Sequence, residues 1–461
     1  MARSSKRGRA PFGLGLGALI VAAACGGRVF DDAPFADAGP PDAGRSREAG
    51  VSDAAAEASP RDAGAPDVAL PPETAVVTEL GAHASNVPFT FVIPPNTLGF
   101  QVLAGSSKDA TVRIESLVGP GDAGALFTAG EPRGSGHVTA EGTEWVAAAI
   151  PMPEVYMDSP VAPGPWTVKV SSTAGSVRVT LTVQPTSDGR FHGGALDLHV
   201  YVPKGLVLSD PDAVHTVDPT NAASDAALSL RIDTFFDALE TYLGVGRGNV
   251  TYHPADARFA ALDTETLLAE AFESTAVVPD RQALHVFFTN SINIDGTNSI
   301  WGISPGLPGA ARKTGTSLSG IAVSQIMGSP AEADAFTMLH EAGHFFGLSH
   351  TTEIAVPGSG TAHDPLSDTP VCDGGVTDLN LDTCPDHTNL MYPTGLFGEP
   401  GAPAPVVSDH QRRVFWGSPS YRAFATGTPP KRLLPLRRPV DPRRAPFVLP
   451  PNVKRCVIWR R

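Results

Sequence analysis

Short runs in which apolar and polar residues alternate follow one another from about residue 74. Five of these runs begin at Phe89, Thr111, Glu144, Trp166 and Val177, and turns rich in Gly, Pro and Ser separate them. Side chains of a strand point alternately to opposite faces, so a period of two predicts half-buried strands. Short strands in this order predict a β-sandwich over residues 74–186. We interpret it as an accessory domain for packing or binding, because no cluster of catalytic residue types lies in it.

The pattern changes near residue 187, where apolar runs begin to alternate with an amphipathic helix. A strand is predicted from Leu196, and a stripe at helical spacing follows at Leu228, Ile232, Phe235, Phe236, Leu239, Tyr242 and Leu243. Ser224 and Gly244 are predicted to cap the two ends of this helix. Further strands are predicted in NVTYH, LHVFFT and SGIAVSQ. This order predicts an α/β layer, with its sheet partly covered, over residues 187–427.

The remaining parts of the chain have too few apolar residues to build a core. Residues 26–73 repeat Asp, Ala, Gly and Pro, and residues 428–461 are basic and rich in Pro. We predict a disordered linker and a disordered tail. The tail carries ten Lys or Arg and one Asp. It either docks on anionic surfaces, or on the acidic body of the protein, or is an extension without function.

Charge separates the body of the chain from its ends. The total is −14, but residues 1–25 carry a net +4 and residues 431–461 a net +9, so residues 26–430 carry a net −27. An acidic body repels a phosphate backbone, which excludes nucleic acid as a favoured partner. The sequence carries no signal for an oligomeric state.

Residues 1–25 have the composition of an export signal. Basic residues precede the apolar run FGLGLGALIVAAA, which is too short to span a bilayer comfortably. The end of the run, VAAAC, resembles a bacterial lipobox, in which lipidation of Cys25 would anchor the chain to a membrane. Secretion with cleavage near Cys25 is the alternative. Either route leads to the cell envelope or the exterior, where Cys372 and Cys384 can form a disulfide and Cys456 is left over.

The stretch HEAGHFFGLSH, residues 340–350, lies on a predicted helix. Ser329 and Glu332 have the spacing of a capping box, with Pro330 as the first helical residue. Gly347 is placed to end the helix in a left-handed turn. The polar residues of this stretch are therefore predicted to be presented by one capped helix.

Three histidines of this helix are candidate metal ligands. His340 and His344 are four residues apart, so their rings share one face of the helix. The turn at Gly347 brings His350 back toward them, whereas a straight helix would rotate it away. Imidazole nitrogens suit Zn²⁺. Glu341 follows the first ligand, where it can act as general base and acid for a water molecule that zinc activates.

The pattern HExxHxxGxxH resembles the zinc signature of the metzincin metalloproteases. Members carry a methionine turn downstream, for which NLMYP with Met391 is the candidate. The order of the residues between His350 and Met391 is most similar to the pappalysin-like (cytophagalysin) family. The resemblance covers residues 190–427 and implies an α+β catalytic domain with a twisted mixed sheet and an active-site helix, preceded here by the all-β sandwich.

The resemblance also implies further site residues. The family places a tyrosine that assists the transition state two positions after the methionine, whereas Tyr392 comes one position after Met391. The family also binds calcium near the site, and carboxylate oxygens suit Ca²⁺. Asp364, Asp368 and Asp373 are the candidate ligands, with a solvated acidic loop as the alternative.

These observations predict a zinc endopeptidase that cleaves extended polypeptide substrates outside the cytoplasm. The alternative from another class is a zinc-containing binding lipoprotein that no longer cleaves. Zinc-dependent hydrolysis of a non-peptide amide is a third hypothesis. The sequence defines neither the cleavage-site preference nor the mechanism of latency, since no cysteine lies between Cys25 and Cys372 to block the zinc.

Overall fold

A computed structural model describes most of the chain between the linker and the tail. The described residues are 23–24, 73–121, 125–128, 138–140, 145–151, 161–210, 213–294, 299–325, 330–354, 363–377, 380–381, 383–394, 397–398, 402–427 and 453–458. Cys25, nearly all of the predicted export signal and the whole linker between residues 26 and 72 lie outside them. No helix among the described residues is both long enough and apolar enough to cross a bilayer.

Two antiparallel sheets occupy the region predicted as a sandwich. The strands up to residue 185 are β1 (Ala23–Ala24), β2 (Val76–Ala84), β3 (Phe89–Ile93), β4 (Thr97–Gly105), β5 (Val112–Val118), β6 (Ala125–Thr128), β7 (Val138–Ala140), β8 (Val146–Pro151), β9 (Gly164–Ser172) and β10 (Ser176–Pro185). One sheet has the order β2-β10-β4-β8-β7 and the other β3-β9-β5-β6. Their facing apolar side chains share one buried cluster, in which the rings of Phe100 and Trp166 meet edge to face. The five predicted strands are all present.

A larger mixed sheet follows. Its region contains β11 (Gly194–Pro203), β12 (Val207–Asp210), β13 (Ala213–Thr216), β14 (Val245–Ala255), β15 (Ala261–Leu262), β16 (Ala283–Thr289), β17 (Ser291–Ile292), β18 (Ser299–Ser304), β19 (Ile321–Ser324), β20 (Arg422–Ala423) and β21 (Val453–Ile458). The sheet order is β1-β21-β18-β19-β16-β11-β14, with β20 beside β11. Strands β14, β11, β16 and β19 are parallel, and β18 is antiparallel to β19. The described chain is thus mixed α and β, compatible with the predicted α+β class.

Among the described residues, four α-helices accompany this sheet: α1 (Ala226–Leu243), α2 (Glu265–Glu273), α3 (Ala331–Phe346) and α4 (Asp409–Gly417). Alternate residues of β11 enter different cores, because Leu198 packs in a cluster with α1 and α3, whereas Tyr201 packs in a cluster with α2. Burial on both faces explains why the central strands β16 and β19 are buried along their whole length and are mostly apolar.

The helix caps differ in part from the predictions. Asp225, not Ser224, caps α1 by accepting a hydrogen bond from Leu228 N, while Gly244 ends the helix with φ +69° as predicted. For α3, Pro330 is the N-cap rather than the first helical residue, and it provides no side-chain hydrogen bond. Its extended backbone (ψ 153°) starts the helix at Ala331. Ser329 lies outside the described residues.

A buried ion pair fixes α3 against α1. Arg231 Nε lies 2.6 Å from Asp334 Oδ2. The same guanidinium donates to the main-chain oxygens of Ala227 and Ser209. A buried charge is tolerated only when it is paired and hydrogen-bonded, so this contact holds the helix of the candidate site in one position.

The sandwich packs directly on the larger sheet region. Gln101 donates to Gly309 O and accepts from Ala311 N, both at 2.8 Å. Gly99 lies so close to Gly417 that a Cβ atom at residue 99 would fall 1.8 Å from the main-chain oxygen of Gly417. These contacts favour a supporting role for the sandwich.

One part of the tail forms a strand. Val453–Ile458 pairs in parallel with Ser299–Ser304, and Ala23–Ala24 pairs with the other side of this strand. The other residues of the predicted disordered tail lie outside the described part of the chain.

Candidate metal centre

A left-handed turn at the end of α3 brings the motif together. Gly347 has φ +114°, a value that L side chains rarely adopt, and its N–H donates to Gly343 O and His344 O. Leu348 N also donates to Gly343 O, at 2.8 Å. The chain therefore reverses direction directly after the helix, as the position of the glycine predicts.

The reversal places three buried imidazole rings around one point. The Nε2 atom of His344 lies 3.1 Å from that of His340, and the Nε2 atom of His350 lies 3.3 Å from each. Ligands at 2.0–2.1 Å in tetrahedral directions would be separated by about 3.3 Å. These three residues could therefore hold a metal ion, and the predicted ligand set is brought together as a unit.

The outer nitrogen of each ring has an acceptor that fixes its tautomer. His340 Nδ1 donates to Leu390 O at 2.7 Å, and His344 Nδ1 donates to Leu348 O at 2.6 Å. A carbonyl oxygen only accepts, so Nδ1 carries the proton and the Nε2 lone pair faces the centre. Burial, with the nearby ring of His350, lowers the pKa of His340 to about 3. This imidazole is therefore neutral at physiological pH, as a ligand must be.

The third ligand is oriented by a side chain. His350 Nδ1 donates to Glu353 Oε2 at 2.9 Å, and both side chains are buried. A carboxylate in this position fixes the ring and makes the imidazole more basic. Glu353 is a residue of the centre that the motif did not reveal.

Glu341 lies at the next position of the helix and is fully buried. Its carboxylate is packed against Gly302 of β18, where a Cβ would fall 2.6 Å from Oε1. Only glycine leaves room for this carboxylate beside the strand. Strand β18 therefore borders the centre, although the pattern of apolar residues does not predict a strand there.

Met391 lies beneath the centre. It is fully buried, and a Cβ at Gly343 would fall 2.6 Å from its Sδ atom. The preceding turn is held by Asn389, which exchanges two side-chain hydrogen bonds with Gln411 at the start of α4. Gln411 also completes the predicted capping box with Ser408.

The segment after Met391 contacts the disulfide. Cys372 and Cys384 form the predicted bond, with a Cα separation of 5.2 Å. Tyr392 is buried against this pair, and its hydroxyl donates to Leu381 O at 2.9 Å. The tyrosine therefore supports the loop, and we assign it no part in the chemistry below.

The three predicted calcium ligands have different surroundings. Asp373 is exposed. Asp368 accepts from Ser408 Oγ and His410 N at the start of α4, at 2.8 and 2.9 Å. Asp364 is buried, and burial raises its pKa to about 8.

A fourth carboxylate, which the sequence did not single out, lies near Asp364. Asp386 is buried, and its charge contributes to the raised pKa of Asp364. Within the described part of the chain, Asp364 Oδ2 and both carboxylate oxygens of Asp386 have no hydrogen-bond partner. Such oxygens are costly to bury unless a cation or water satisfies them.

Comparisons with known proteins do not extend these observations. No protein-family model matches the chain, and no curated protein matches it.

We predict that Glu353→Gln weakens zinc binding by about 10–100-fold, because the ring of His350 loses its charged acceptor. Competition with a chromogenic chelator measures this affinity. Glu270→Gln is the matched control, since the carboxylate of Glu270, on α2, forms an exposed ion pair with Arg258. Equal zinc affinity of Glu353→Gln and the wild type would contradict the assignment.

Proposed function

We propose that the protein is a zinc-dependent endopeptidase of the metzincin type. The observation that carries the proposal is the convergence of the three Nε2 atoms, 3.1–3.3 Å apart, beside the buried carboxylate of Glu341. A set of three imidazole ligands would leave a bound zinc ion its full charge, which is typical of catalytic rather than structural sites. When bound, zinc acts as a Lewis acid that lowers the pKa of water and polarises a carbonyl group.

The residues of the chain account for the proton transfers. Glu341 is one position from the ligand His340 and is confined by Gly302. Its carboxylate would accept the proton of the attacking water and donate it to the amine that leaves when the peptide C–N bond breaks. Burial strengthens the interaction of this carboxylate with developing charge. The acceptors of the three Nδ1 protons keep the rings in position throughout.

The proposed substrate is an extended polypeptide that pairs with an edge of the mixed sheet. The proposed location is the cell envelope or the exterior, through a lipid on Cys25 or through secretion. The Cys372–Cys384 disulfide is compatible with an oxidising compartment.

Replacing Glu341 by Gln should abolish most of the activity while leaving zinc in place. We expect chelator-sensitive cleavage of casein and of a peptide library by the wild type, and a kcat lower by about 10²–10⁴-fold in Glu341→Gln, because the general base is lost. Metal analysis of both proteins should give the same zinc content.

Glu332→Gln is the control, since it makes the same substitution in the first turn of the same helix. Cleavage by Glu341→Gln at the wild-type rate would contradict the proposal. A zinc-loaded wild type that cleaves nothing would favour the binding lipoprotein instead.

We also propose that Asp364 and Asp386 hold a calcium ion. Their unpaired, buried oxygens are hard ligands of the kind that Ca²⁺ takes. A bound cation would favour the ionised form of Asp364 and offset its burial. This pair replaces the set predicted from the sequence, because Asp368 binds the start of α4 and Asp373 is exposed.

Calcium should therefore stabilise the protein at constant zinc. At a concentration of 100 times Kd the gain is about 2.7 kcal/mol, seen as a higher melting temperature. It should grow as the pH rises from 5 to 8, because Asp364 must lose its proton to bind. Asp386→Asn should remove the effect and the exposed Asp373→Asn should keep it; a calcium effect that survives Asp386→Asn would refute the site.

A further inference from the structure

The C-terminal segment Val453–Ile458, which we call the tail strand, lies between β18 and the two-residue strand Ala23–Ala24 at one end of the mixed sheet. It pairs in parallel with β18, with Ser299 opposite Val453 and Ser304 opposite Ile458. An edge strand presents unpaired main-chain N–H and C=O groups that a further extended segment can satisfy. Along this edge, the chain supplies its own partner.

The position of the tail strand relative to the candidate site follows from the backbone register. Cys456 is opposite Gly302, and Gly302 is the residue whose Cα lies against the carboxylate of Glu341. Neighbouring strands are about 4.7–4.9 Å apart. The backbone of the tail strand therefore runs along the border of the site, one strand away from the proposed general base.

Charge and chain length are compatible with this docking. The tail carries a net +9, whereas residues 26–430 carry a net −27. Opposite net charges favour the encounter of the two parts. Residues 428–452 separate the tail strand from the folded region, and a chain of this length can reach about 80 Å when extended.

We infer that the edge of β18 is a peptide-binding surface whose resident ligand is the tail strand, and that the tail strand competes there with polypeptide substrate. The second half of this inference rests on the proposed endopeptidase function, since an extended substrate would require the same edge. The inference that the tail strand binds the edge of β18 rests on the strand pairing alone. Docking of the tail strand thus keeps the enzyme in a self-inhibited form.

Hydrogen–deuterium exchange of the tail strand tests the docking without any measurement of activity. In the full chain, deuterium uptake by the main-chain amides of the peptide that contains residues 453–458 is followed by mass spectrometry. Val457→Pro should speed this uptake about tenfold if the tail strand is docked in nine molecules out of ten, because proline removes an N–H and fixes φ. Val448→Pro, outside the tail strand, is the matched control and should exchange at the wild-type rate.

The same variants test the competition. Val457→Pro should lower KM for an extended peptide substrate about tenfold with kcat unchanged, because a competitor lowers only the fraction of free sites. Equal deuterium uptake by the tail strand in the wild type and Val457→Pro would overturn the docking. Faster uptake in Val457→Pro with an unchanged KM would overturn the competition. Slow uptake in the wild type without hydrolysis by any variant would overturn the proposed function and support the docking.

Discussion

The left-handed turn at Gly347 is the constraint on which the candidate site depends. Without φ +114° at this position, α3 would continue and carry His350 away from His340 and His344. With it, Leu348 O becomes the acceptor for His344 Nδ1, so the turn both reverses the chain and orients a ligand. One backbone conformation therefore determines whether two or three histidines meet at the centre.

Long-range contacts then hold the reversed segment in place. Thr351 N donates to Met391 O, Thr352 Oγ1 accepts from Cys372 N, and Glu353 O accepts from Val376 N. The disulfide loop and the methionine turn thus form hydrogen bonds to each of the three residues that follow His350. Because Leu390 O orients His340 in the same region, the methionine turn positions a candidate ligand through its backbone, while the thioether of Met391 packs against Gly343 of α3.

Features governed by local spacing could be predicted from the sequence, and features governed by tertiary contacts could not. The i, i+4 histidines and the glycine turn depend on neighbours a few residues away, so the pattern was sufficient. Glu353 follows His350 by only three residues, but its backbone is held by Val376, and Asp386 lies near Asp364 only through the fold. Strand β18 was missed because SIWGIS lacks period-two alternation, and its glycine reflects contact with Glu341 rather than strand propensity.

The caps show the same division at a finer scale. Asp225 and Ser224 are both good N-cap residues, and the sequence alone does not choose between them. Pro330 suits the first turn of a helix, but its extended ψ of 153° makes it the cap. Such shifts of one residue in the N-cap do not change which residues share a face of α1 or α3. The predicted grouping of His340 and His344 is therefore unaffected.

X-ray absorption at the zinc K-edge counts the imidazole ligands of the centre. For the chain loaded with one equivalent of zinc, we expect three imidazole nitrogens at about 2.0–2.1 Å. In His350→Ala we expect one imidazole fewer. Two or fewer imidazoles in the wild type, or a sulfur ligand at about 2.3 Å, would rule out a centre formed by the three histidines.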